Sequence, residues 1–207
     1  MSSLTDVGIC NQALGWLGGN LIISLDDPSK EAALCKANYA NLRDALLEEI
    51  DWSFTMFRAR PAAKSAPPEW GYLREFPLPA EMMRVVYCGR SDRKEEDDPI
   101  SDWRLERNSV LCDEDVIFVR GIARIVDPTK FSNMFGQALA ARLALDICLP
   151  LTHSKSLFDA MRQLYAVKIA GASSSDARQG RSQVIRAQGM QTARRAGTLG
   201  GRIGPTV

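Results

Sequence analysis

Five prolines fall within a short central stretch, and they constrain the fold more than any other feature of this 207-residue sequence. These prolines are Pro61, Pro67, Pro68, Pro77 and Pro79. Because a proline inside a helix removes a hydrogen bond and clashes with the preceding turn, no long helix can run through this stretch. Short runs rich in β-branched and aromatic residues occur there instead. The sequence therefore predicts a β-rich region over residues 51–126, inserted between two helical parts.

Apolar residues recur at helical spacing on both sides of this region, and they predict four helices. The predicted helices and their expected N-terminal capping residues are 6–17 (Thr5 or Ser3), 28–50 (Asp26 or Asp27), 128–148 (Asp127) and 155–170 (Ser154 or Thr152). We expect Gly18 to end the first helix in a left-handed conformation and Pro150 to end the third. The helical segments 1–50 and 127–170 are therefore predicted to form one bundle.

Within the inserted region, six short runs are typical of strands. They are residues 52–57, 72–76, 83–87, 103–106, 110–112 and 116–125. The polar run Arg107-Asn108-Ser109 predicts a tight hairpin between two of them. The predicted fold class is α+β, a helical bundle with one small antiparallel β-region inserted in it.

The charge of the chain is divided unevenly along its length. The formal net charge is +1, yet residues 171–207 carry +5 and residues 1–170 carry −4. The last 37 residues are also poor in apolar side chains, so we do not expect them to bury enough surface to order by themselves. The sequence predicts that residues 171–207 are a basic C-terminal arm that becomes ordered on a partner, or a partly helical extension.

The arm has three interpretations that the sequence leaves open. Its arginines could bind nucleic-acid phosphates, could contact an acidic protein surface through bidentate hydrogen bonds, or could only solubilise the chain end. The apolar side chains between them favour a protein groove, because such residues serve as interface anchors. The candidate docking residues are Arg178, Arg181, Arg186, Arg194, Arg195, Arg202, Ile185, Met190 and Leu199.

Candidate catalytic and metal-binding residues are sparse. The single histidine, His153, lies between two predicted helices and is better explained as a cap or turn residue. The five cysteines are widely spaced without a C-x-x-C pair, which indicates reduced, buried thiols and disfavours a zinc site. An enzyme using Cys88 or Cys112 with acidic partners stays as a third hypothesis. We expect neither an enzyme nor a cofactor or metal site.

Composition and targeting signals bound the class of protein further. Apolar residues make up 45% and charged residues 25%, which excludes collagen-like, low-complexity and wholly disordered chains. The first residues do not form a signal peptide, and no uninterrupted apolar run approaches a membrane span. We expect a protein made in a cytoplasm that stays there or is packed into an assembly.

Several short motifs, taken in order, resemble the head-to-tail adaptors of short-tailed bacteriophages, the tail tubular protein A family. The first half of the chain contributes Ile9–Gly18, Ile22–Asp27, Glu31-Ala32 with Cys35, Tyr39 with Arg43–Leu47, and Asp51–Phe54. The second half contributes Leu78–Val85, with Glu81 where the family more often has Asp, and then Phe135, Ala138–Ala140, Leu143-Ala144, Leu149, Thr152, Tyr165 and Ala170. Residues 88–126 and 171–207 match least.

The resemblance implies a structural role without a cofactor. Such proteins form a dodecameric ring beneath the portal, join the DNA-filled head to the tail nozzle, and leave a channel for double-stranded DNA. Their C-terminal segments commonly reach onto the portal. The resemblance therefore implies that the basic arm of this chain docks on a portal protein. The expected location is the neck or tail of a virion assembled in the host cytoplasm. A nucleic-acid-binding module that uses the arginine-rich tail is the alternative.

Overall fold

The computed structural model describes residues 4–92 and 98–179. Over these ranges the α+β prediction is confirmed, with four α-helices and two antiparallel sheets of three strands each. The helices are α1 (Asp6–Leu17), α2 (Lys30–Glu49), α3 (Asn133–Thr152) and α4 (Lys155–Ala177). The strands are β1 (Met56–Ala59), β2 (Arg74–Pro77), β3 (Met82–Gly89), β4 (Arg104–Glu106), β5 (Ser109–Cys112) and β6 (Phe118–Ala123).

The bundle is built around α3, which contacts each of the other three helices. Its alanines at 138, 140, 141 and 144 are all fully buried, so neighbouring helices can approach it closely. By length and composition α3 could also cross a membrane. Its central place in the bundle accounts for that apolar character, because such a helix must bury most of its surface.

The first helix begins and ends as predicted. The Thr5 hydroxyl accepts a hydrogen bond from the Gly8 amide, and Gly18 adopts a left-handed conformation with φ 69°. The predicted cap of α2 is wrong, because Ser29 caps it and accepts from the Ala32 amide at 3.1 Å. Asp27 instead accepts from the amides of Ile23 and Ser24, which closes the loop before the helix.

The start of α3 also differs from the prediction. Asp127 caps a short 3-10 helix, Pro128–Lys130, and α3 begins only after Ser132, which caps it. Pro150 does not end α3, which continues to Thr152. Two side-chain hydrogen bonds reach carbonyl groups at this end of the helix. The Thr152 hydroxyl donates to the Cys148 carbonyl at 2.8 Å, and the Lys30 ammonium donates to the Pro150 carbonyl at 2.5 Å.

The inserted region contains two sheets where the sequence predicted one. Sheet A has the order β1-β6-β3, and sheet B has the order β2-β5-β4. The predicted run at 52–57 begins with a 3-10 helix, Ser53–Thr55, and becomes a strand only at Met56. The predicted hairpin is confirmed, with Arg107 at φ 52° in the turn between β4 and β5.

Sheets A and B pack around a second hydrophobic core, separate from that of the bundle. Because side chains alternate between the two faces of a strand, each sheet also has an outer face. Sheet A contributes Val119 and Cys88 to this second core, and sheet B contributes Phe76 and Val110. The two sheets of the inserted region therefore share one core, and we call this region the sandwich.

Candidate interaction surfaces

The predicted arm begins later than the sequence indicated. The fourth helix continues beyond residue 170 to Ala177, and Ala172 is buried in the bundle core. Residues 171–177 are therefore part of α4 and of the bundle, which agrees with the predicted partly helical extension and not with an arm that orders only on a partner. The reason is tertiary: a small side chain at position 172 lets the helix continue along a core that the other helices supply.

A buried carboxylate fixes the end of α4. Asp176 is only 8% exposed and accepts two hydrogen bonds from Ser53, one from its amide at 2.8 Å and one from its hydroxyl at 2.7 Å. Ser53 opens the 3-10 helix at the junction between the bundle and sheet A. The chain after α4 thus leaves the body from this junction.

One of the nine candidate docking residues lies in the described part of the chain. Arg178 follows the last turn of α4 and its side chain is exposed, as a docking residue requires. The other eight lie outside the described residues: Arg181, Ile185, Arg186, Met190, Arg194, Arg195, Leu199 and Arg202.

The residues that carry the family resemblance make structural contacts. The Asn11 side chain donates to the Ile22 carbonyl and accepts from the Ile22 amide, each at 2.8 Å, which holds the loop after α1. The Trp52 indole is fully buried and donates to the Leu46 carbonyl at 2.8 Å. Arg84 on β3 forms an ion pair with Asp51, which connects sheet A to the end of α2. These motifs maintain the architecture; they do not form a reaction centre.

The predicted cap role of His153 is confirmed. It adopts a left-handed conformation with φ 53° after α3, and its amide donates to the Leu149 carbonyl at 3.0 Å. All five cysteines are free and buried, as predicted. Burial raises the pKa of the Cys88 thiol to about 12 and also raises that of Cys112. Both thiols therefore resist forming the thiolate that nucleophilic catalysis uses.

The acidic clusters of the described chain take part in local contacts. Asp113 accepts from the Leu73 amide, Glu114 pairs with Arg90, and Asp115 pairs with Arg74. Among residues 4–92 and 98–179, no three His, Cys, Asp or Glu side chains gather as they would around a metal ion. Their arrangement is that of loop and strand-end charges.

A tryptophan on the outer side of sheet B is a surface feature that the sequence reasoning missed. Trp70 is 86% exposed, although tryptophans are mostly buried in folded proteins. It lies in residues 68–72, here called the Trp70 loop, which packs over Glu106 and Leu111 of sheet B. Gly71 has φ 91°, a conformation that favours glycine, and this turn presents the indole. In the sequence, the run Pro-Pro-Glu-Trp-Gly was the signal that could have indicated this exposed turn.

A cavity on the outer face of sheet A was also missed. It has a volume of about 250 Å³, and we call it the arginine pocket. The Arg60 guanidinium lies 5.4 Å from the centre of the Phe118 ring, in a cation–π arrangement. Arg58 pairs in register with Arg120 of β6, so several guanidinium groups share this face. The residues that line the pocket are Arg58, Ala59, Arg60, Tyr87, Ser91, Asp92, Phe118 and Val119.

Two further exposed apolar side chains lie at one end of the bundle. Ile23, in the loop before α2, is 91% exposed, and Leu21 in the same loop is 67% exposed. The Lys30–Pro150 hydrogen bond joins the start of α2 to the last turn of α3, where Leu149 is also exposed. Exposed apolar side chains of this kind suit contact with another protein.

No family model matches this chain, and no curated protein matches it.

Proposed function

We propose that this protein is a structural virion component, the head-to-tail adaptor of a short-tailed bacteriophage. The observation that carries the proposal is the ordered set of family-like motifs, among them Asn11, Trp52 and Arg84. Each of these residues makes a tie between elements of the α+β body. Residues that connect elements of the fold in this way are expected in a ring subunit, because such a subunit has to keep its shape in the assembled virion.

In this proposal the protein acts as a homo-oligomer, a twelve-membered ring between the portal and the tail nozzle protein. The basic arm docks on the portal. Twelve weak arms, linked in one ring, give a durable joint because each later contact is effectively intramolecular. The Asp176–Ser53 hydrogen bonds support this, since a fixed starting point for the arm reduces the entropy lost on docking.

The ring forms part of the channel through which double-stranded DNA is retained and later ejected, without sequence specificity. A strongly basic body lining the channel would hold DNA through its phosphates. The net charge of −4 on residues 1–170 is compatible with free passage.

The direct test is electron microscopy of the full chain, alone and mixed with its portal. The proposal expects a ring with a central channel, seated on the portal. Discrete monomers in both samples would count against it.

The arm is tested by a chain that ends at Gln179, which keeps the buried Asp176 and removes the rest of the basic segment. Portal binding is expected to fall strongly while the fold is retained. A matched control keeps the full length but replaces Arg162, an exposed arginine of α4, by alanine. If the truncated chain binds the portal as well as the full chain, the docking role of the arm is wrong.

The alternative, a nucleic-acid-binding module, rests on the +5 charge of residues 171–207. It expects duplex DNA binding by the full chain with an affinity that falls steeply as salt is raised, and loss of that binding on truncation at Gln179. Weak binding that does not depend on salt would dismiss it.

A further inference from the structure

The arginine pocket and the Trp70 loop are formed on different sheets of the inserted region. Phe118 and Arg58 alternate along their strands with Val119 and Ala59, which face the second core, so the pocket is on the outer face of sheet A. The Trp70 loop covers Leu111, which alternates with the core residues Val110 and Cys112, so it is on the outer face of sheet B.

The two surfaces are chemically complementary. The Trp70 loop offers an exposed indole preceded by an exposed carboxylate, Glu69. The arginine pocket offers an aromatic ring, Phe118, beside the guanidinium group of Arg60. Aromatic pairs contribute beyond the area they bury, and an arginine can bind a carboxylate through two parallel hydrogen bonds.

The size of the arginine pocket is also suitable for a large aromatic side chain. About 250 Å³ is roughly the liquid volume of eight water molecules, enough for a side chain as large as an indole. Tryptophan and arginine are the residues that most often dominate the energy of protein interfaces, particularly where an anchor fills a pocket. The structure offers both halves of such an arrangement on one chain.

We propose that the Trp70 loop of one molecule inserts into the arginine pocket of a second copy of this chain. Trp70 packs on Phe118, and Glu69 pairs with Arg60. Because different surfaces meet, the contact is head-to-tail, and repetition closes a ring when the rotation per subunit permits. The inference rests on the proposed ring function and deepens it by naming the lateral contact.

The test is a charge exchange in the full-length protein, with self-association followed by analytical ultracentrifugation over a concentration series. Arg60→Glu and Glu69→Arg are each expected to weaken association at least about tenfold, and Trp70→Ala at least as much. The double variant Arg60→Glu/Glu69→Arg is expected to recover most of the loss, because the pair is restored with its charges reversed. Val167→Ala, which removes an exposed apolar side chain from α4 of the bundle, is the matched control and is expected to change nothing.

Circular dichroism checks that each variant is folded, which is expected because all three side chains are exposed. Unchanged association of Trp70→Ala, or no recovery in the double variant, overturns the proposed contact. If rings on the portal still form in those variants, the adaptor function stands and only the lateral contact is wrong. A wild-type chain that stays monomeric up to its solubility limit also overturns the contact, and microscopy with the portal then decides the function separately.

Discussion

The helical bundle and the inserted sandwich differ in how their cores are assembled. In the bundle, α3 is enclosed by helices from both ends of the chain, so its core depends on contacts between distant segments. In the sandwich, strands that follow one another within residues 56–123 share a smaller core. The difference teaches that the bundle depends on segments from both ends of the chain, while the sandwich carries the two surface features described above, the Trp70 loop and the arginine pocket.

The largest expected effect is on the bundle core. Phe135 is fully buried, and its ring meets Trp52 edge to face at 5.2 Å between centroids. Phe135→Ala is expected to lower the free energy of unfolding by about 3–5 kcal/mol. Urea denaturation measures it. Phe76→Ala in the sandwich is the comparison, and a smaller loss is expected because the surface there can collapse around the gap. Equal losses would mean that the two cores are equally rigid.

Glycine-to-alanine substitutions are expected to change the stability of the protein in opposite directions in the two regions. A Cβ on Gly121 in β6 would lie 2.2 Å from the Arg84 carbonyl oxygen, so the backbone of β3 must shift. Gly121→Ala is expected to destabilise the protein by about 1–3 kcal/mol or more. In α1, Gly15 has no atom within 4 Å of the same position, and Gly15→Ala is expected to stabilise by about 0.5–1 kcal/mol. Thermal melting of both variants checks this, and a stable Gly121→Ala would show that the strands have room to separate.

The joint between the regions is tested through Asp176. Asp176→Ala leaves the Ser53 amide and hydroxyl without their acceptor, and a loss of about 1–3 kcal/mol is expected. Hydrogen exchange is expected to rise over the last turns of α4 and at Ser53. Asp159→Ala, which removes a more exposed carboxylate from the same helix, serves as the control with little change. Unchanged protection near residue 176 would show that packing alone holds the helix end.

The smallest expected effect is that of the ion pair between Arg84 and Asp51. Both side chains are partly exposed, so solvent screens the pair and a coupling energy below about 1 kcal/mol is expected. A double-mutant cycle with Arg84→Ala and Asp51→Ala measures it. A coupling energy well above that value would mean that this ion pair contributes substantially to holding the sandwich to the bundle.

Local chemistry made most of the fold predictable. Thr5 and Gly18 bound α1 as expected, because capping depends on neighbouring backbone groups. The hairpin at Arg107 was predictable for the same reason. The cap of α2 was not, since both Asp27 and Ser29 suit an N-cap, and the choice depends on which of them closes the preceding loop.

The candidate surfaces were harder to predict, because they depend on which residues come together in space. The docking arm was found through charge, and its boundary at 171 was wrong because Ala172 and Asp176 pack against distant segments. The arginine pocket joins Arg60, which follows β1, with Tyr87 of β3 and Phe118 of β6, and no spacing in the sequence relates them. From its residue type alone, Trp70 would be expected in a core, but the fold leaves it exposed.

By itself, the sequence determined the α+β class, the four helices, the β-rich insertion and the basic end of the chain. These follow from proline placement, apolar periodicity and charge, which act over a few neighbouring residues. Only the tertiary structure decided that the strands form two sheets, that α4 continues to Ala177, and which side chains stay on the surface. The physical reason is that side-chain burial and strand register depend on contacts between segments far apart in the chain. Local sequence patterns do not specify these contacts.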